Sequence, residues 1–218
     1  MEKRKIPAQP SVRRLPSYLY SVRQAQRNGS KFISGTSIAQ ELRLEPIQVR
    51  KDLAITGIAG KPKKGYPVDE LIKAIERFLG WDAIQDVILV GAGNLGSALM
   101  GHQDFRLHGL HIVAAFDKNL QKIGTTIHGV RVLSMDSLEE EIRRMGIKVA
   151  ILTIHSDIAQ ETANRLVEAG IRGIWNFTAF KIQVPEWVAV QAENLSSGYA
   201  MLCVSMQARQ DRDDRNAG

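Results

Sequence analysis

One cysteine, Cys203, stands in a chain of 218 residues. That scarcity excludes an intrachain disulfide and any cysteine cluster of metal-binding type, and it fits a reducing compartment. No apolar run approaches the roughly 18 residues a membrane helix needs, and the segment Met1 to Pro10 lacks the apolar core of a signal peptide. A soluble, cytoplasmic protein is expected. The five histidines, His102, His108, His111, His128 and His155, show no metal-ligand spacing. No metal site is expected.

What is present is a globular composition, 44% hydrophobic and 24% charged, which argues against both a disordered tail and a fibre. At about 150 residues per domain the length allows one or two domains. Charge is divided unevenly between them. Residues Met1 to Tyr66 hold 14 Lys and Arg against 4 acids, whereas the remainder holds 15 bases and 19 acids. A basic first third joined to a mildly acidic remainder points to a nucleic-acid or acidic-surface binder with a second activity attached. A solvated basic face is the alternative.

The basic third reads as helices and a loop. Ser11 is an expected N-cap for a helix running to Arg27, with Leu15, Leu19 and Val22 on one face and Asn28-Gly29 as its stop. Thr36-Ser37 is expected to cap a short helix, Ile38 to Leu42. Pro46 suits the first position of a third helix, whose Ile47, Val49, Leu53 and Ile55 are expected inside while Gln48, Arg50 and Lys51 point elsewhere. This is the layout of a helix-turn-helix, in which the second helix of the pair enters the major groove of double-stranded DNA. The following GIAGKPKKGYP carries Lys61, Lys63 and Lys64 near its tip. As a wing it sets cations against phosphates, giving affinity and salt dependence but little sequence information. A flexible linker is the other reading. Asp69 to Leu79 is a further amphipathic helix, stopped by Gly80.

After residue 80 the period changes. The run DVILV, Asp86 to Val90, leads into Gly91, Ala92, Gly93, Asn94, Leu95 and Gly96, then into a helix. In that strand, turn and helix, Gly91 permits the tight turn, Gly93 lets the backbone approach a pyrophosphate, and Gly96 lets helix and strand pack closely. The next strand, His111 to Phe116, ends at Asp117, 21 residues after Gly96, the offset at which an acid binds the adenosine ribose. Its carboxylate favours NAD(H) over a 2′-phosphorylated dinucleotide, and the adjacent Lys118 softens that repulsion. Strands are expected at Val130 to Leu133, Val149 to Ile154, Gly173 to Phe177 and Val188 to Ala192, with helices at Ser137 to Met145 and Ser156 to Ala169. The sum is an α/β chain, a winged helix-turn-helix followed by a doubly wound Rossmann sheet. Thr153 and His155 after one strand, and Asn176, Phe177 and Thr178 after the next, are expected to face the dinucleotide; loop or core packing is the alternative.

RRLPSYL at Arg13 to Leu19 and QVRKDL at Gln48 to Leu53, followed by VGAGNLG, LVEAGI and NF, together resemble the redox-sensing transcriptional repressor family Rex, over about Pro7 to Met206. The resemblance implies a homodimer whose winged helix reads a palindromic operator while the Rossmann domain senses the NADH to NAD+ balance, NADH releasing the DNA. It places Arg13, Arg14 and Ser37 with Gln48, Arg50 and Lys51 among the DNA-facing candidates. It also implies a domain division of 1–80, 81–197, a helix over 198–210 exchanged between subunits, and a disordered tail over 211–218. Several positions depart from the family pattern, among them Leu195, Ile55, Thr56 and the NFTA at Asn176 to Ala179, and three are switch candidates: Tyr20 stands for an arginine, His102 for a tyrosine, and Asn194 for an acid unless the alignment slips by one to Glu193. A carboxylate near the nicotinamide distinguishes the charged ring from the neutral one, and Asn194 does not, so weaker or inverted redox discrimination is expected. Two other functions stay open. An NAD-dependent dehydrogenase needs a second domain supplying an acid or base, and only about one helix follows the Rossmann segment. A DNA-binding protein with a purely structural nucleotide would hold its operator at any NADH level.

Overall fold

The computed structural model describes residues 8–217. They fall into two compact units: one extends to Ile84 and takes in Leu107–Gly109, and the other comprises Gln85–Arg106 and the chain from Leu110 onward. Among the described residues no helix is long and apolar enough to cross a membrane.

The first unit is helical. Helix α1 spans Gln9–Arg27, and Ala8 rather than Ser11 is its N-cap. The reason is Pro10: its fixed φ and missing N–H suit a first helical turn, so the helix starts before the serine. Leu15, Tyr18, Leu19 and Val22 are buried along its inner face. Helix α2 spans Gly35–Leu42 and is capped by Ser34, whose Oγ accepts from Ser37 N at 2.9 Å, so the expected cap at Thr36-Ser37 lies one turn too late. Helix α3 spans Pro46–Ala54 with its proline in the first turn. Val49 and Leu53 are fully buried, but Ile47 is 63% exposed, which corrects its expected place in the core. A nine-residue helix turns one narrow face to the core, and Val49 and Leu53, four apart, lie on it. Helix α4, Val68–Leu79, buries Leu71, Ile72 and Ile75 and ends on the left-handed Gly80.

Two short strands close this unit: β1, Phe32–Ile33, pairs antiparallel with β2, Tyr66–Pro67. Between α3 and β2 the chain turns at Lys61 to Gly65, where Lys61 N donates to Gly65 O at 2.7 Å and Gly65 N returns to Lys61 O at 3.0 Å. Residues 61–65 thus form a wing-like turn.

The second unit is a seven-stranded sheet: β3 (Gln85–Val90), β4 (Leu110–Asp117), β5 (Thr126–Ile127), β6 (Val130–Ser134), β7 (Val149–Leu152), β8 (Gly173–Asn176) and β9 (Ala189–Ala192). Their order is β5-β6-β4-β3-β7-β8-β9, parallel throughout except for the antiparallel β5–β6 pair. Without β5 this is the strand order of a dinucleotide-binding Rossmann fold, with its topological switch between β3 and β7. One face is covered by α7 (Leu138–Met145) and α8 (Ala159–Glu168), packing Leu138, Ile142, Ala163 and Leu166 against Ile88, Val90 and Phe116. The other face carries α5 (Asn94–Met100) and α6 (Gln103–Leu107), with Met100 and Phe105 over Val87, Leu89 and Ile151. Two helical layers on one parallel sheet make it doubly wound. The β5 edge strand and α6 are not visible in the sequence pattern, because each is too short for a period to register.

Helix α9 spans Leu195–Ala217. The backbone stays helical where a tail was expected over 211–217, since no Gly or Pro follows Gly198 until the last residue. Tyr199, Met201, Leu202, Val204 and Met206 are all exposed on it.

Candidate functional site

In the sheet unit the chain opens a crevice at the carboxyl ends of β3 and β7. Its walls are set by backbone bonds. Gly91 N donates to Phe116 O at 2.8 Å and Thr153 N to Val90 O at 2.9 Å, while Thr153 Oγ1 donates to Gly91 O at 2.8 Å. Gly91 adopts φ +100°, and a Cβ there would stand 2.6 Å from the Thr153 carbonyl oxygen. A Cβ on Gly96 would strike the Gly91 carbonyl oxygen and press on Leu89 and Thr153. Gly93, by contrast, faces open space. Two glycines therefore close the turn, and the third leaves room for a ligand.

The crevice has a volume of about 470 Å³, and eight of the expected residues border it: Gly91, Gly93, Asn94, Leu95, Asp117, Lys118, Thr153 and His155. Ala92 and Gly96 lie behind them, buried. The loop after β8 is different. Asn176 donates to Phe180 O at 2.8 Å and its Oδ1 accepts from Thr178 N and Oγ1 at 3.0 and 2.8 Å, so both side chains serve the loop itself. Phe177 packs on Trp175 with ring centroids 4.9 Å apart. These three residues are not among those bordering the cavity; a buried asparagine satisfies its own loop before it can serve a ligand.

Two further residues, one bordering the crevice and one tied to its glycine turn, carry no sequence signal. Arg165 borders it, donating to Met135 O at 2.7 Å and pairing with Glu139, whose carboxyl that arginine holds below its ordinary range. Lys122 Nζ donates to Ala92 O at 2.7 Å and lies 4.0 Å from the Asp117 carboxylate. Neither falls within a motif.

In the helical unit the basic residues are not equivalent. Asp52, on α3, is buried and accepts from Arg14 Nε at 2.7 Å, Arg14 Nη2 at 3.1 Å, Tyr18 OH at 2.7 Å and Gln48 Nε2 at 2.8 Å. Burial alone would raise this carboxyl, but the donors from Arg14, Tyr18, Ser11 and Gln48 hold it at about 2. Burial and the bond to Asp52 push the Tyr18 phenol up to about 12. Arg14, expected to face DNA, is thus engaged in binding α1 to α3, and Gln48, also expected there, bonds one turn along α3 itself. Arg13, Ser37, Arg50 and Lys51 are exposed, as are Lys61, Lys63 and Lys64 on the turn. Lys61 and Lys64 sit over the Phe32 ring at 5.7 and 5.8 Å from its centroid. Lys63 holds a left-handed backbone, φ +60°, at the tip.

The three switch candidates also have definite places. Tyr20 is 59% exposed on α1. His102 stacks on Phe105 with centroids 4.6 Å apart. Asn194 Oδ1 accepts from Ser196 N at 3.0 Å at the start of α9, and the neighbouring Glu193 accepts from Gln191 at 3.1 Å.

A helix-turn-helix with a lysine-rich wing, followed in the same chain by a Rossmann sheet with a glycine turn at its switch point, defines the class of ligand-responsive transcription regulators. Comparison with known proteins narrows the class. A family model described as a putative DNA-binding protein N-terminus matches residues 5–54, and one described as a CoA binding domain matches residues 82–180. The redox-sensing transcriptional repressor Rex of Treponema denticola is 58% identical over 96% of this chain and all of its own length, and that of Bacteroides fragilis is 38% identical over 92% and 89%. A Rex-family repressor crystallised with β-NAD+ and operator DNA is 32% identical and superposes with a TM-score of 0.89 over 99% of both chains; its β-NADH complex gives 0.85 over 99% of this chain and 100% of that one. The chain belongs to the Rex family of redox-sensing transcriptional repressors. That family consists of transcription regulators, so the dehydrogenase reading does not stand.

Proposed function

We propose that this chain is a cytoplasmic homodimeric repressor that binds a palindromic operator and is released from it by NADH held in the crevice between β3 and β7. The observation that carries the reading is the crevice itself: a backbone-built turn with Gly93 left open and Asp117 at the rim, in a chain that also holds a basic helix-turn-helix. In this reading the amides around Gly93 and Asn94 meet the pyrophosphate, Asp117 accepts from the adenosine ribose, and Lys118, Thr153 and His155 border the bound dinucleotide. Arg50 and Lys51 face the major groove from α3, while Arg13 and Ser37 reach the backbone. Lys61, Lys63 and Lys64 meet phosphates from the wing. Helix α9, whose apolar side chains are exposed, is the element exchanged between subunits.

The mechanism is linkage. A dinucleotide that favours the dimer form in which two recognition helices no longer fit successive half-sites weakens DNA binding by the same factor by which DNA weakens its own binding. Tyr20, His102 and Asn194 set how far NADH and NAD+ differ in that effect. Asn194 brings no charge to a nicotinamide ring, and its oxygen already caps α9, which favours a reduced difference between the two nucleotides.

The test is fluorescence anisotropy of a labelled palindromic operator at fixed salt, titrated separately with NADH and NAD+. Release by NADH at concentrations where NAD+ releases less is the expected result. Operator affinity indifferent to both nucleotides would leave a DNA-binding protein with a structural ligand and sink the redox assignment.

A further inference from the structure

The crevice residues that touch a ligand do not explain what keeps Asp117 in place. Its carboxylate closes a small ring of contacts. Asp117 Oδ1 accepts from Asn119 N at 2.9 Å, Asn119 O accepts from Lys122 N at 2.9 Å, and the Lys122 ammonium returns to within 4.0 Å of Asp117 Oδ2. The same ammonium donates to the Ala92 carbonyl at 2.7 Å, in the middle of the glycine turn. Lys122 is thus tied at both ends: its backbone is fixed by the loop after β4, and its side chain spans from that loop to the turn after β3. It is not among the residues bordering the cavity.

From this geometry we infer that Lys122 is a positioning residue that latches Asp117 to the glycine turn and so sets how strictly the crevice reads the 2′-hydroxyl of the adenosine ribose. The inference rests on the proposed dinucleotide reading of the crevice. A carboxylate accepts a hydroxyl hydrogen bond well only when its lone pairs are aimed, and here one oxygen is held by a backbone amide while the other is drawn toward a cation. Without the cation, Oδ2 is free to rotate away, and the Ala92 carbonyl loses the donor that joins the two walls. Lys122 therefore contributes to selectivity without touching the ligand.

The experiment measures the affinity of the full-length protein for NADH and for its 2′-deoxyadenosine analogue, in the wild type, in Lys122→Met and in Lys122→Arg. A hydrogen bond to a charged group is worth enough that the wild type is expected to prefer NADH by roughly tenfold. Lys122→Met is expected to bring that ratio close to one while the unfolding midpoint without nucleotide stays within about 2 °C of wild type; Lys122→Arg, which keeps the charge, is expected to restore most of it. An equal loss for both nucleotides in Lys122→Met, with the ratio kept, overturns the inference, because a merely structural lysine would act in that way. A wild-type ratio of one overturns it as well while leaving dinucleotide binding intact. A wild type that binds neither nucleotide overturns the dinucleotide reading, and the inference falls with it. Should Lys122→Met fail to fold, the ratio in Lys122→Arg and Lys122→Gln decides the matter, since only the second removes the charge.

Discussion

In the helical unit a buried carboxylate, Asp52, draws Arg14, Tyr18 and Gln48 together and fastens α1 to α3 through side chains. In the sheet unit the crevice is fastened by main-chain bonds between β3, β4 and β7, and its decisive residues are glycines that offer no side chain at all. The difference teaches where each unit is fragile. Chemistry that removes one charge threatens the first, whereas a single added methyl group threatens the second. A buried carboxylate is costly to neutralise because the donors that converge on it, the buried Tyr18 hydroxyl among them, lose a charged acceptor inside the core. A glycine at a close approach is costly to replace because backbone has nowhere to move.

Four experiments break or sharpen that contrast. The largest effect is expected from Gly96→Ala, whose Cβ would meet the Gly91 carbonyl: NADH binding measured by calorimetry should fall more than about a hundredfold, with overpacking costing unit stability about 1–3 kcal/mol. Retained affinity would show that the turn relaxes and that the backbone account is wrong. Next is Asp52→Asn, expected to lower stability by about 2 kcal/mol in urea unfolding. The pH dependence follows in sign. The folded carboxyl titrates at about 2, below its unfolded value, so its contribution is complete above the unfolded pKa and is lost as pH falls from near 4 toward 2. Wild-type stability should decline over that window, and the variant should lack this component.

A smaller effect separates two arginine and lysine roles in DNA binding. Lys63→Ala should reduce the slope of log affinity against log salt by about 0.9, the value of one phosphate contact. Arg14→Gln should weaken operator binding with the slope unchanged, because this arginine serves Asp52. Equal slope changes in both would return Arg14 to the phosphate backbone. The smallest effect is expected at Ile47, where truncation to alanine should change stability by less than about 0.5 kcal/mol, against about 2–5 kcal/mol for Leu53→Ala on the same helix.

Much of the architecture was legible in the chain because it is written in short-range signals. The strand, glycine turn and helix at Asp86 to Met100 follow from residues adjacent in sequence, and the acid 21 residues beyond Gly96 follows from the spacing of the dinucleotide fingerprint. Helix ends at Gly80 and Pro46 were equally local. What escaped was which of several available partners, near or distant in sequence, each polar group takes. Ser34 caps α2 because the strand before it delivers the hydroxyl at that point, and the sequence offers three hydroxyl residues within four positions to choose among.

The sequence alone therefore determined the two-part organisation and the glycine turn, since these rest on periodicity and on residues whose conformational freedom is intrinsic, while its motifs carried the resemblance to the family. Only the tertiary structure decided which polar side chains are free. Arg14 and Gln48 read as groove residues in the sequence, and the fold gives both Asp52 as a partner, 38 and 4 positions away; Asn176 and Thr178 read as ligand contacts, and the fold gives both the Phe180 carbonyl as a partner. Lys122 looks like an ordinary surface lysine until it reaches Ala92, 30 residues away. A hydrogen-bonding group goes to whichever partner folding brings within about 3 Å, and that choice is not encoded at the position of the group itself.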